Sequence, residues 1–274
     1  DMMVGREVQL APDRPRSEPG EVRLAVNDLR VAGDRGVDAV RGCNFEVRSG
    51  ELLGIAGVSG NGQRELAEAI AGLRPVVDGD VRIDDTEVTG WHPSKVRAAG
   101  LAYVPEERMR DGVIGEFSVA ENLILVAHDR APFSRRGILR LGKIIDRCSD
   151  LVKRFDVKTP TLETRTATLS GGNIQKLILA RELSGQPKVL LAAQPTRGVD
   201  IGAAEYIHRR LIEERSAGNA ILVISEDLDE VLALSDRVAV MFEGQIVAVM
   251  DVAEATVERV GLLMAGSEIV AEVS

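Results

Sequence analysis

Leu169-Ser170-Gly171-Gly172-Asn173-Ile174-Gln175-Lys176 sets a hydroxyl residue and two glycines at the start of an apolar helical pattern that runs from about Ser170 to Leu183. The first N–H groups of a helix have no partner inside it, and the helix dipole is positive there, so a Ser hydroxyl with glycine N–H groups forms a ready anion site. A second such place lies upstream. The apolar run Glu51 to Ala56 predicts a strand that stops at Gly57, and Gly57-Val58-Ser59-Gly60-Asn61-Gly62-Gln63-Arg64-Glu65 is a glycine-rich turn into a helix over about Gln63 to Gly72. Leu66, Ala67, Ile70 and Ala71 share one face of that helix. Strand, glycine loop, helix is the phosphate-binding order.

Around these two stretches the chain alternates strands and helices. Strands are predicted at Val22 to Val31, Cys43 to Val47, Gly79 to Ile83, Leu101 to Val104, Val189 to Ala192 and Ala220 to Ser225, with a helix near Ala203 to Arg215. Arg237 to Phe242 and Gln245 to Met250, split by Glu243-Gly244, read as a hairpin. Between Glu106 and Thr168 the pattern changes to two helical stretches, Val119 to Ala127 and Leu139 to Phe155, without strand alternation, which predicts an inserted helical subdomain. The order implies an α/β fold with a mostly parallel sheet covered by helices.

Composition narrows the function. With 274 residues, 45% of them hydrophobic, one sizeable core with one or two subdomains can be buried. The net charge of -9 repels phosphate backbones, and no Lys/Arg-rich run interleaved with aromatics offsets it, which argues against nucleic acid as a partner. The apolar runs Ala220 to Ile224 and Val238 to Phe242 have strand length, so no membrane span is predicted. Cys43 and Cys148 lack CxxC spacing and read as buried thiols of a reducing compartment. His92, His128 and His208 show neither ligand spacing nor a paired carboxylate pattern; packing is expected of them, and no metal site. Trp91 reads as a loop anchor, and Glu226, Asp227, Asp229 and Glu230 as acids complementing a helix start. The chain opens on Asp1, with no secretory signal, as a piece cut from something longer would.

The Leu169 to Lys176 stretch resembles the signature of ATP-binding cassette (ABC) ATPases, and the Gly57 loop resembles their Walker A motif. Further matching stretches are Tyr103 to Arg108 (YVPEER), Ser118 to Leu125 (SVAENLIL) and Pro195 to Ala203 (PTRGVDIGA). Nearly all of Val22 to Met264 is covered, and the likeness is strongest to the second, C-terminal cassette of tandem importer ATPases for sugars and nucleosides, on the branch that depends on a basic membrane lipoprotein. The resemblance implies a P-loop NTPase with a RecA-like sheet core, an N-terminal antiparallel β subdomain and the inserted helical subdomain at about 106–168. It further implies a linker from a preceding cassette over 1–20, a nucleotide-binding domain over 21–253 and a C-terminal extension over 254–274.

The implied nucleotide-binding residues are Gly57, Ser59, Gly60, Asn61, Gly62, Gln63, Arg64 and Glu65, and the sequence departs from the family there. Gln63 stands where the family's phosphate-spanning Lys belongs, and Arg64 where a hydroxyl should hold magnesium. Losing one charge-assisted hydrogen bond costs about 1.5 to 3 kcal/mol, unless Arg64 swings in as a substitute cation. Ala193 and Gln194 replace the magnesium-serving Asp and the water-polarising Glu, while Gln194 can orient water but not take its proton. Glu226 replaces the γ-phosphate His, Glu106 stands at the Q-loop position that couples to the helical subdomain, and no aromatic lies between Val31 and Val40 to stack on a base. No catalytic residue is thus intact.

The signature residues Leu169, Ser170, Gly171, Gly172, Asn173 and Gln175 and the D-loop residues Gly198, Val199 and Asp200 keep the family pattern. In a closed cassette dimer each signature faces the other cassette's Walker A loop, so the resemblance implies a chain that lends its signature in trans to a partner's ATP and Mg, its own site holding ATP weakly or without turnover. The implied partners are the preceding cassette, the permease's transmembrane subunits and, indirectly, a substrate-binding lipoprotein, at the cytoplasmic face of the inner membrane as a peripheral subunit. The rival readings are a self-sufficient ATPase acting as a homodimer, a regulatory scaffold that never binds nucleotide, and a non-transport ABC ATPase of DNA repair or chromosome structure. The last would carry a long coiled coil, and no sustained heptads are present.

Overall fold

The computed structural model of the chain describes Pro15 and residues 17–267; most of the predicted 1–20 linker and the end of the 254–274 extension lie outside the described residues. In chain order the elements are β1 (Val22–Ala32), β2 (Asp38–Arg48), β3 (Leu52–Ala56), α1 (Gln63–Ile70), β4 (Asp78–Ile83), β5 (Thr86–Glu87), α2 (Pro93–Ala99), β6 (Leu101–Val104), α3 (Val119–Ile124), β7 (Ser134–Arg135), β8 (Ile138–Leu139), α4 (Leu141–Arg154), α5 (Gly171–Leu183), β9 (Val189–Ala193), α6 (Ile201–Ser216), β10 (Ala220–Ser225), α7 (Leu228–Leu234), β11 (Arg237–Phe242), β12 (Gln245–Asp251) and α8 (Val257–Met264). A π-helical turn spans Arg108–Gly112. The chain divides into two units. One holds the described residues through Tyr103 with Pro187–Gln194 and those from His208 onward; the other holds Val104–Gln186 and Pro195–Ile207.

The first unit carries the expected α/β core. Its six-stranded sheet has the order β12-β11-β3-β10-β9-β6. β3 pairs in parallel with β10 and β11, β10 in parallel with β9, and β12 closes the edge antiparallel to β11, as the predicted hairpin requires. β3, β9 and β10 are buried along their whole length, which is why they read as unbroken apolar runs rather than alternating ones. A four-stranded antiparallel sheet, β2-β1-β4-β5, packs its alternating inward residues Leu24, Val26 and Val40 into one core with Leu53 and Ile55 of β3 and Leu66 and Ile70 of α1. β2 begins at Asp38, earlier than predicted, because Asp38 and Val40 pair with Ala32 and Val31 across the β1–β2 ladder. Backbone pairing to a partner strand carries no side-chain periodicity that the short run could reveal.

In the second unit α3, α4 and α5 pack together. α3 opens on a capping box: Ser118 Oγ accepts from the Glu121 N–H while the Glu121 carboxylate accepts from the Ser118 N–H at 2.8 Å. Asn122 is fully buried and satisfied, its Oδ1 accepting from the Ile114 N–H and its Nδ2 donating to the Thr166 hydroxyl, both at 2.9 Å. The expectation of a strandless segment is corrected here. β7 and β8 form a small ribbon, Ser134 opposite Leu139 and Arg135 opposite Ile138, around Arg136-Gly137, both at positive φ. A two-residue turn of that kind closes a hairpin too short to show alternation. α4 consequently starts at Leu141 and not at Leu139.

Phe155, at the C-cap of α4, is 1% exposed. Phe155→Ala should lower unfolding free energy by about 3–5 kcal/mol, read by urea denaturation; a loss below about 1 kcal/mol would contradict the packing described.

Candidate functional site

The glycine loop lies at the carboxyl ends of neighbouring parallel strands, where open α/β sheets place their ligands. β3 runs into Gly57, β10 into Glu226 and β9 into Gln194, with Ser225 opposite Ala56 and Ile224 opposite Ala193. Gly60 and Gly62 adopt φ 85° and 96°, and a Cβ on Gly62 would lie 2.2 Å from the Ala39 carbonyl oxygen, so this turn requires glycine there. The Asn61 side chain fastens the loop, its Oδ1 accepting from the Glu243 N–H at 3.0 Å. The glycine-rich strand-to-helix turn that the sequence predicts is therefore present.

Its side chains point to other tasks. Gln63 is buried, and its Nε2 donates back to the Val58 carbonyl at 3.1 Å. Arg64 is not swung toward the cradle: its Nε donates to Glu68 Oε1 at 2.7 Å, and its guanidinium lies 3.8 Å from Asp34. Glu65 sits in the first turn of α1. Ala193 is buried and apolar. Gln194 holds a positive φ of 49°, and its Oε1 accepts from the Glu226 N–H at 3.4 Å. Gln63, Gln194 and Glu226 thus share one end of one sheet, and none of them is a cation. Among the described residues no group of His, Cys, Asp and Glu could hold a metal. A magnesium ion does not fit here, because the two positions that would ligate it carry Arg64, a cation, and Ala193, which has no donor atom.

In the second unit the Leu169 to Lys176 stretch forms the start of α5. Ser170 is the N-cap; its Oγ accepts from the Asn173 backbone N–H at 3.4 Å and from Asn173 Nδ2 at 2.9 Å. Asn173 Oδ1 in turn accepts from the Lys158 N–H at 2.7 Å. Both inward contacts use the Ser170 oxygen as acceptor, which leaves the hydroxyl proton of this exposed residue for an outside acceptor. Leu169 is half-buried just ahead of the cap, and Gln175 is buried. Lys176 bonds Asp156 at 3.0 Å and lies 4.5 Å above the Tyr206 ring. Hydrogen bonds from Lys158 and Lys176 hold the Asp156 carboxyl below its usual range.

Gly171 and Gly172 are glycines for reasons of space. A Cβ at 172 would lie 2.7 Å from Ala203 Cβ and 3.1 Å from Asp200 Oδ2, and one at 171 would lie 2.8 Å from Arg108 Nη2. Asp200 caps α6 by accepting from the Ala203 N–H at 2.9 Å, and Gly198 takes φ 64° with the Val199 N–H closing a turn on Thr196. Glu106 bonds Arg197. Arg108 donates to the Arg197 and Gly198 carbonyls, the latter at 2.9 Å. Glu106, the 198–200 loop and the α5 start are therefore one assembly, joined by Arg108 and Arg197. Neither arginine was predicted as a site residue; the signal available was their place inside the matched stretches Tyr103 to Arg108 and Pro195 to Ala203.

The remaining titratable residues fall as follows. His208 is buried, as the packing expectation has it, and bonds buried Glu230 through Nε2 at 2.9 Å; the pair is 22 residues apart, at the α6 and α7 faces, and no local spacing reveals it. His92 caps α2 and His128 bonds the Leu125 carbonyl. Asp227 caps α7, accepting from the Asp229 and Glu230 N–H groups, as the dipole reading of that acidic run requires. Cys43 and Cys148 are free and buried, and burial pushes each thiol up to about 11. Trp91 is partly exposed, its backbone N–H donating to the Val88 carbonyl at 3.0 Å.

The comparisons with known proteins give the family. Residues 40–197 match the family model described as ABC transporter. The chain is 42% identical over 266 residues to the guanosine import ATP-binding protein NupO of Bacillus subtilis (strain 168), covering 97% of this chain and 52% of that protein. It is 43% identical over 268 residues to the glucose import ATP-binding protein TsgD13 of Haloferax volcanii, covering 97% of this chain and 49% of that protein. A crystal structure of an ATP-binding cassette of an ABC transporter in its ADP conformation has the same fold, with a TM-score of 0.70 at 21% identity, over 92% of this chain and 98% of that one. The chain spans about half the length of the curated relatives it matches. It is an ABC cassette and belongs to the ABC transporter family, near the nucleoside and sugar import ATP-binding proteins.

Arg108→Ala should release the 198–200 loop with little change in melting temperature. Amide exchange of residues 198 to 200 is expected to rise roughly tenfold, as for the loss of a hydrogen bond from a charged donor. Unchanged exchange would show that Arg108 does not hold the loop.

Proposed function

We propose that the chain is the second cassette of a tandem ATP-binding protein in a bacterial importer, and that it completes its partner cassette's site while turning over nothing in its own. The observation that carries this reading is the contrast between two anion cradles. At α5 the Ser170 oxygen only accepts, from the Asn173 N–H and Nδ2, which leaves its hydroxyl proton to donate. At α1 the cradle exists, but Gln63 is spent on Val58, Arg64 on Glu68, and the strand ends beside them supply Ala193, Gln194 and Glu226.

On this reading Gly57, Ser59, Gly60, Asn61 and Gly62 can wrap a phosphate by backbone alone, so ATP binds the chain's own site weakly, and without Mg or a base it is not hydrolysed. Ser170, Gly171 and Gly172, with Asn173 and Gln175 holding the helix start, donate to the charge that develops on a γ-phosphate bound by the preceding cassette, where Mg also sits. The D-loop at Gly198, Val199 and Asp200 and the Q-loop position at Glu106 then transmit closure through the Arg197 and Arg108 contacts. The domain division proposed is a linker over 1–20, the cassette over 21–253 with its helical subdomain at about 106–168, and an extension over 254–274.

The partners proposed are the preceding cassette and the permease's transmembrane subunits, with a substrate-binding lipoprotein acting indirectly, at the cytoplasmic face of the inner membrane. No described helix is long and apolar enough to cross a membrane. Nucleosides are the favoured cargo, supported by the likeness to a guanosine importer's ATP-binding protein. A sugar is the second reading, favoured by the equal likeness to a glucose importer's.

Mixing the chain with the preceding cassette and assaying ATP hydrolysis tests the proposal. Ser170→Arg should abolish turnover, since it fills the α5 cradle, whereas Gln63→Ala should leave most of it. Equal tolerance of the two changes would overturn the lending role.

A further inference from the structure

The chain's net charge is -9, yet Arg130 to Lys143 carries five cations and no carboxylate. Four of them, Arg135, Arg136, Arg140 and Lys143, form no ion pair among the described residues, while Arg130 pairs only with the adjoining Asp129, at 3.8 Å. Other arginines of the same unit are held by acids, Arg147 by Asp150, Arg165 by Glu116 and Arg197 by Glu106. The densest run of such unpaired cations belongs to the β7–β8 ribbon and the start of α4.

The same segment leaves aliphatic side chains in water. Ile138 is 73% exposed and Leu141 66%, and Ile145, one helical turn beyond Leu141 on the same side of α4, is 50% exposed. Arg135 lies directly opposite Ile138 in the ribbon, so a guanidinium and an aliphatic chain share one of its faces. Ile144, Cys148 and Leu151 take the buried side of α4, which frees Leu141 and Ile145 from any duty to that core. Water solvates the cations but not the bare aliphatics beside them. An anionic bilayer surface serves both: headgroup phosphates accept from the guanidinium groups, and the aliphatic chains enter the boundary with the acyl region.

We propose that the β7–β8 ribbon and the first turn of α4 form a docking surface for a membrane rich in anionic phospholipid. The overall negative charge does not prevent this, because at physiological salt the Debye length is about 8 Å and distant carboxylates are screened. A nucleic acid would meet the cations but leave Ile138 and Leu141 in water, and Phe133, the segment's aromatic, is half-buried and poorly placed for stacking. The surface shares no residue with either phosphate cradle and stands whether or not the chain completes a partner's site.

Co-sedimentation of the chain with large vesicles tests it, comparing pure phosphatidylcholine with the same lipid containing about a third phosphatidylglycerol, the latter fraction chosen to approach a strongly anionic surface. Binding is expected on the anionic vesicles alone and should fall as salt rises. Arg135→Gln with Arg136→Gln should lower partitioning roughly twenty-five-fold, at about a factor of five for each cation. Ile138→Ser with Leu141→Ser should lower it roughly tenfold at unchanged charge. All four side chains are exposed, so unchanged melting temperatures would verify intact folding. Equal binding to neutral vesicles, or indifference to both double variants, would overturn the proposal. Binding to polyglutamate or RNA with none to vesicles would overturn it too, by assigning the cations to an acidic polymer.

Discussion

A helix start leaves its first N–H groups without partners, and this chain sets two such starts, α1 and α5, in opposite surroundings. At α1 the backbone turn is exacting: Gly62 must be glycine because the Ala39 carbonyl occupies the space of any side chain. At α5 the exacting features are Gly171 and Gly172, which let Arg108 and the Asp200–Ala203 turn approach the helix. Backbone geometry is thus specified equally well in both places. The side chains differ. Those beside α1 are consumed internally or carry the wrong charge for phosphate, whereas the Ser170 hydroxyl is acceptor to its own helix and still has a proton to give.

The architecture explains how a cradle can persist without its charges. Gly57 and Gly62 answer to the sheet, to Met241 and to Ala39, so the loop is held by packing of the first unit whatever binds in it. Nothing comparable holds a Lys at 63 or an Asp at 193, whose value would lie in the ligand alone. On the proposed reading the scaffold is retained because the cassette must still present α5 and the 198–200 loop to a partner, and the polar groups that only hydrolysis needs are not.

Much of this was legible in the residues. The fully buried strands announced themselves as unbroken apolar runs, the glycine loop as a strand-to-helix turn, and α5 by its Ser-Gly-Gly start. What was missed shares a physical cause. β7 and β8 have two residues each, too few for a period to emerge, and α2, with seven, is marked only at its ends by Pro93 and Gly100. The His208–Glu230 bond and the Arg108 and Arg197 contacts join residues brought together by the fold, which no spacing rule encodes. Arg64 was allowed as a stand-in cation because its neighbours on the surface, Glu68 and Asp34, could not be weighed as partners before the helix and the 33–37 loop were placed.

The most direct measurement is steady-state hydrolysis by the purified chain alone, at saturating ATP and magnesium. The account predicts no phosphate release above the uncatalysed background, even where ATP is bound. Steady magnesium-dependent release by this polypeptide would contradict it, since it would mean that Gln63, Ala193, Gln194 and Glu226 suffice for the chemistry they are here denied.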